Sequence, residues 1–97
     1  MNTIMKQKTP DDICETYARK HVKVTFRPLE DDNEVLLIEG DQQALEFLGK
    51  LFLSIASSEE CGFQMGPMLA GSALFSKEST RGLYIHRLPC NDHPTEE

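Results

Sequence analysis

Four groups of residues in this chain are of a type and spacing that could do chemistry. His86, Cys90 and His93 are all zinc-ligand types, set close together near one end. Their spacing is not that of a recognised finger, and a closed structural site takes four ligands. His86 on a strand also reads as an ordinary surface or hydrogen-bonded histidine. The spacing therefore defines no metal centre, and none is assigned. The segment Gly66 to Ser72 has glycines at the spacing of a phosphate loop. It lacks the lysine that reaches the phosphates, no helix start follows, and Pro67 removes an amide donor. It reads as a turn and a strand entry. Cys14, Cys61 and Cys90 could each meet His21, His86 or His93 as a nucleophile and base, but such pairs form only in space, and no flanking motif supports one. Incidental, buried thiols are the plainer reading. Carboxylates cluster at Glu30, Asp31, Asp32 and Glu34, and again at Glu59 and Glu60. These are turn positions with no apolar surroundings to raise a pKa, so general acid–base work is not expected of them.

What remains is recognition. The acids at 30 to 34 would steer a basic partner. Lys23, Thr25 and Arg27 on one strand and Tyr84 and His86 on another would form a recognition surface if they shared an open sheet face. Arg87 belongs to the same contact region.

Composition bounds these options. The 97 residues suffice for one domain, with no room for a deep cleft. Ten basic side chains against 16 acidic ones leave a formal charge of −6. That is the wrong sign for a general nucleic-acid backbone binder. No apolar stretch reaches the length that spans a bilayer, and the first residues contain no signal-like apolar core. Three cysteines at wide spacings are not a disulfide framework. The expectation is free thiols in a cytoplasmic protein.

The elements that must position these residues follow from period and punctuation. Thr9 as cap, Pro10 in the first turn and acids behind them start a helix running to about Lys20. His21 to Arg27 alternates as a half-buried strand, and Pro28 ends its pairing. After an acidic turn, Glu34 to Glu39 is a second strand. Its run from Val35 to Ile38 is apolar on both faces, which predicts a position inside the sheet. Asp41 caps the main core helix, which ends between Ser57 and Gly62, where Gly62 would take the left-handed cap. Leu69 to Ser76 and Leu83 to Leu88 are expected as strands three and four, joined by a turn at Lys77 to Gly82. Residues 1–8 and 91–97 read as disordered ends of a single domain, 1–97. The order α-β-β-α-β-β implies an α+β fold, an antiparallel sheet of about four strands with the main helix on one face.

Two stretches carry a family resemblance. One is Glu34 to Asp41 (EVLLIEGD) leading into Gln42 to Leu48 (QQALEFL). The other is Gly71 to Ser76 (GSALFS), followed by Gly82 to Cys90 (GLYIHRLPC). Over roughly residues 34 to 90 the chain resembles the immunity protein 32 family of bacterial polymorphic toxin systems, most specifically at Tyr84 to Leu88. The resemblance implies a protein that binds and neutralises a toxin. It brings no catalytic motif.

Together these readings point to a non-enzymatic binding protein without cofactor. Its partner is expected to be a protein, a basic toxin domain in the immunity reading, rather than nucleic acid or membrane. The contact residues expected are Glu30, Asp31, Asp32, Glu34, Tyr84, His86 and Arg87. The alternative is a small homodimeric ligand-binding or regulatory domain.

Overall fold

The computed structural model describes residues 8–90; the two ends expected to be disordered fall, apart from Lys8, outside them. Helix α1 (Pro10–Arg19) begins with a capping box. The Asp12 amide donates to Thr9 Oγ1 at 3.1 Å, and the Thr9 amide donates to the Asp12 carboxylate at 3.2 Å. Two otherwise orphaned amides are thereby satisfied. The helix ends on His21, in the left-handed region at φ 62°. There His21 N–H donates to Ala18 O and Val22 N–H to Tyr17 O, the paired bonds of a Schellman turn.

Strand β1 (Thr25–Pro28) pairs antiparallel with β2 (Leu36–Glu39), placing Phe26 opposite Ile38 and Pro28 opposite Leu36. Helix α2 (Gln42–Ala56) starts at Asp41, whose side chain accepts from the Ala44 amide at 2.9 Å. Strands β3 (Gly62–Met65) and β4 (Leu83–His86) form a second antiparallel pair, with a short 3-10 turn at Ser72–Leu74 between them. The fold is α+β in the expected order.

The core lies where the two helices meet β1 and the 3-10 turn. Val24, Phe26, Phe47, Leu51, Met65 and Leu74 are almost wholly buried there. Tyr17 packs on Phe47 at 5.3 Å between ring centroids, and Phe26 meets Phe75 edge-on at 5.5 Å. The first helix docks on α2 and the 3-10 turn.

Four details differ from the sequence reading. The four strands form two separate pairs, because the third strand lies at Gly62–Met65, earlier than expected. Gly62 is consequently a strand residue, and α2 ends at Ser57 without a left-handed glycine. The stretch expected as strand three instead turns at Gly71 (φ 82°) into the 3-10 turn, leaving only a parallel bridge between Phe75 and Val24. Lastly, β2 is an edge strand despite its apolar run.

The flanks of β1 explain that edge. Val24 donates to the Leu74 carbonyl and accepts from the Ser76 amide, and the Phe26 carbonyl accepts from the amides of Thr80 and Arg81. The Phe26 amide donates to Ser79 Oγ at 3.2 Å. One side of β1 is thus closed by residues 74–81, and the other is taken by β2.

Candidate functional site

The hairpin between β1 and β2 presents the acidic cluster. Leu29 N–H donates to Val35 O, and Val35 N–H to Asp32 O, each at 2.9 Å. The Asp32 carboxylate accepts from the Glu34 amide at 3.1 Å, tightening the turn from within. Glu30, Asp31, Asp32 and Glu34 are all exposed around it.

The bond from Leu29 to Val35 also sets the alternation along β2. Antiparallel partners alternate between bonded and non-bonded pairs. Leu37 and Glu39 therefore face their partners on β1, while Leu36 and Ile38 turn their N–H and C=O groups outward. The bonding of Phe26, directed away from Ile38 toward residues 79–81, agrees with this register. Among the described residues β2 pairs with β1 alone. Its outward backbone groups are the template on which another strand adds.

Side chains on this edge are apolar. Leu36 and Ile38 lie on the same face as buried Phe26, yet are 46% and 42% exposed. The core cover stops at β1. Val35 is exposed beside them. On α2, exposed Leu45, Gly49, Phe52 and Ala56 follow helical spacing, a second apolar stripe that the core does not use.

The contact residues expected on β4 fare differently. Tyr84 is 61% exposed and stacks with exposed His86 at 6.1 Å, on the outward face of the second hairpin. A Cβ at Gly62 would come within 2.8 Å of the Tyr84 hydroxyl, so a larger residue there would push the exposed ring aside. Arg87 points inward. Its guanidinium donates to the carbonyls of Ile55, Ser58 and Glu60 at 2.9, 2.7 and 3.4 Å. It closes the end of α2 as a cationic cap. Lys23, Thr25 and Arg27 do not share a sheet with Tyr84 and His86, because β1 and β4 belong to different strand pairs.

Of the cysteines, Cys14 is a free thiol; burial, and secondarily the charge of Asp11, push its pKa up to about 11. The expectation of free thiols fails for the other two. Cys61 and Cys90 are joined as a disulfide, with Cα atoms 5.8 Å apart. His86 stands beside them: one donor atom from each of the three residues lies within 4.8 Å of the others. His93, the remaining residue of the expected ligand group, lies outside the described residues. The glycine segment 66–72 spends its amides internally, Gly66 on Ala70 O and Leu69 on Gly66 O.

Two shallow hollows mark the surface of α1. One, of about 190 Å³, lies between Thr9, Ile55, Glu60 and Phe63. The other, of about 290 Å³, is lined by Tyr17, Lys20 and Lys50 among others.

Sequence reasoning found the acidic hairpin but missed the open edge beside it. The signal was present in the doubly apolar run of β2. The same pattern serves a strand covered on both sides and a strand waiting for a partner. No family model matches the chain, and no curated protein or solved structure matches it either. The immunity resemblance therefore stands on the residues quoted for it.

Proposed function

We propose that this chain is a non-enzymatic binding protein that recognises a protein partner by strand addition at β2. The observation that carries this reading is the open edge, where outward backbone groups of Leu36 and Ile38 coincide with exposed apolar side chains. Glu34 and Glu39 flank the edge, and Glu30, Asp31 and Asp32 stand at its end. A fitting partner offers an extended apolar segment with basic flanks. Charge steers the encounter, and the ladder with its apolar contacts holds the complex. An immunity-type role, neutralising a basic bacterial toxin domain by surface binding, is the biological form that the resemblance over residues 34 to 90 supports.

Pairing with a second copy is the competing use of the same edge. Light scattering is expected to show a monomer; a homodimer that buries β2 would replace this reading with the homodimeric one.

The direct test is capture of partners from the native host with tagged protein, wild type beside two double variants. Wild type is expected to retain one stoichiometric basic partner. Leu36→Lys with Ile38→Lys should abolish retention. Asp31→Lys with Asp32→Lys should slow association and leave dissociation nearly unchanged. A partner retained equally by all three proteins removes both the edge and the acidic turn from the interface.

A further inference from the structure

We propose that Cys61, Cys90 and His86 form a metal site of the zinc class, occupied when the two cysteines are in the dithiol form. Three separate elements converge to make it. Cys61 immediately precedes β3, His86 is the last residue of β4, and Cys90 lies four residues further on. The register of the second hairpin sets Gly62 opposite His86, which brings the imidazole next to Cys61. The Arg87 amide donates to the Cys61 carbonyl at 2.7 Å, extending the pairing by one step.

The donors suit the ion. Two thiolates and an imidazole are the soft and borderline ligands that select zinc over calcium or magnesium. A tetrahedral ion with zinc–sulfur bonds of about 2.3 Å and zinc–nitrogen bonds of about 2.1 Å needs donors roughly 3.5–3.8 Å apart. The three donor atoms lie within 4.8 Å of one another, and once the Cys61–Cys90 bond is reduced, side-chain rotation over Cα atoms 5.8 Å apart can open the sulfurs to that spacing. With three protein ligands, water takes the fourth position.

The frame around the site is braced. Arg87, next to His86, binds the carbonyls of Ser58 and Glu60 in the loop that leads into Cys61. The same side chain ties that loop to the end of α2. Cys61 is 3% exposed, Cys90 half-buried and His86 exposed, so the ion would sit at the surface. Reaching the dithiol from the disulfide takes two electrons and two protons from a thiol or phosphine reductant; metal binding itself exchanges no electrons, each thiol releasing its proton to solvent as the metal–sulfur bond forms.

The test uses the whole chain, reduced with a phosphine and titrated with cobalt(II) and zinc(II) without oxygen. One cobalt per chain, with a thiolate-to-cobalt charge-transfer band that zinc displaces, is the expected result. His86→Asn should weaken cobalt binding by more than about 100-fold, since even residues behind metal ligands cost up to that much. Because His86 is exposed, this variant should keep its fold, verified by its circular dichroism. Cys61→Ser and Cys90→Ser should each abolish the band. Reduced wild type with three titratable thiols that binds neither metal overturns the proposal and leaves a disulfide pair only. Cobalt binding by His86→Asn as tight as wild type overturns it equally.

Discussion

In the second hairpin Phe63, Met65, Leu83 and Ile85 share the inward face, while Gly62, Gln64, Tyr84 and His86 share the outward one. In the first hairpin β2 carries apolar side chains on both faces, and two of them are more than 40% exposed although they lie on the face of buried Phe26. The second hairpin is also fastened at its end, by Arg87 to α2 and by Cys61 to Cys90. The first ends in an acidic turn closed by local bonds among residues 29–35. Two short strand pairs in one small domain thus obey different rules. One is finished by its own chain. The other keeps an apolar edge that a soluble monomer has reason to blunt with charge, a bulge or a cover. Here charge stands at its ends, which fits the strand addition proposed for it.

Substitutions on the two sides of one cross-strand pair would break this comparison most directly. Phe26→Ala empties the core under β1 and should cost about 3–5 kcal/mol in urea unfolding, by lost transfer energy and the cavity left behind. Arg87→Ala should cost about 1–2 kcal/mol, because it leaves the Ile55 carbonyl at the end of α2 and the Ser58 carbonyl beyond it without their charged donor. That loss would appear as earlier hydrogen exchange at the end of α2 and the start of β3. Ile38→Thr, directly opposite Phe26, should change stability by less than about 0.5 kcal/mol, as substitutions at exposed sites do. If Ile38→Thr cost as much as Phe26→Ala, β2 would be core rather than interface.

Thiol chemistry sharpens the contrast further. With its pKa at about 11, Cys14 should alkylate at pH 8 roughly a hundredfold more slowly than an ordinary thiol, which ionises near 8.5. Its rate should keep climbing past pH 9. The same shift makes the neutral thiol the form that the fold prefers. The stability it contributes is complete below the ordinary thiol pKa and is lost as pH rises toward about 11. A Cys14 that alkylates as fast as a free peptide thiol would place α1 away from the core.

Much of the local structure was written in short-range chemistry. Thr9, Pro10 and Asp12 specify a helix start whatever surrounds them, and the structure returns the capping box. Asp41 and the wide apolar stripe after it specify α2 in the same way. The acidic turn follows from residues that cannot be buried. By itself, then, the sequence determined the two helices, the first hairpin, the α+β class and the exposure of Glu30 to Glu34, because each depends on neighbours within a turn or two.

The rest depended on which distant segments met. Strand three was expected at Leu69 to Ser76, but that segment closes β1 instead and the strand forms at Gly62–Met65. That choice put Gly62 opposite His86, turned Arg87 inward and brought Cys61 to Cys90 across 29 residues of chain. Among the described residues it also left β2 with β1 as its one strand neighbour. A strand's own residues set which side chains alternate; only tertiary pairing decides which edge is satisfied and which remains open, because backbone groups are alike at every position.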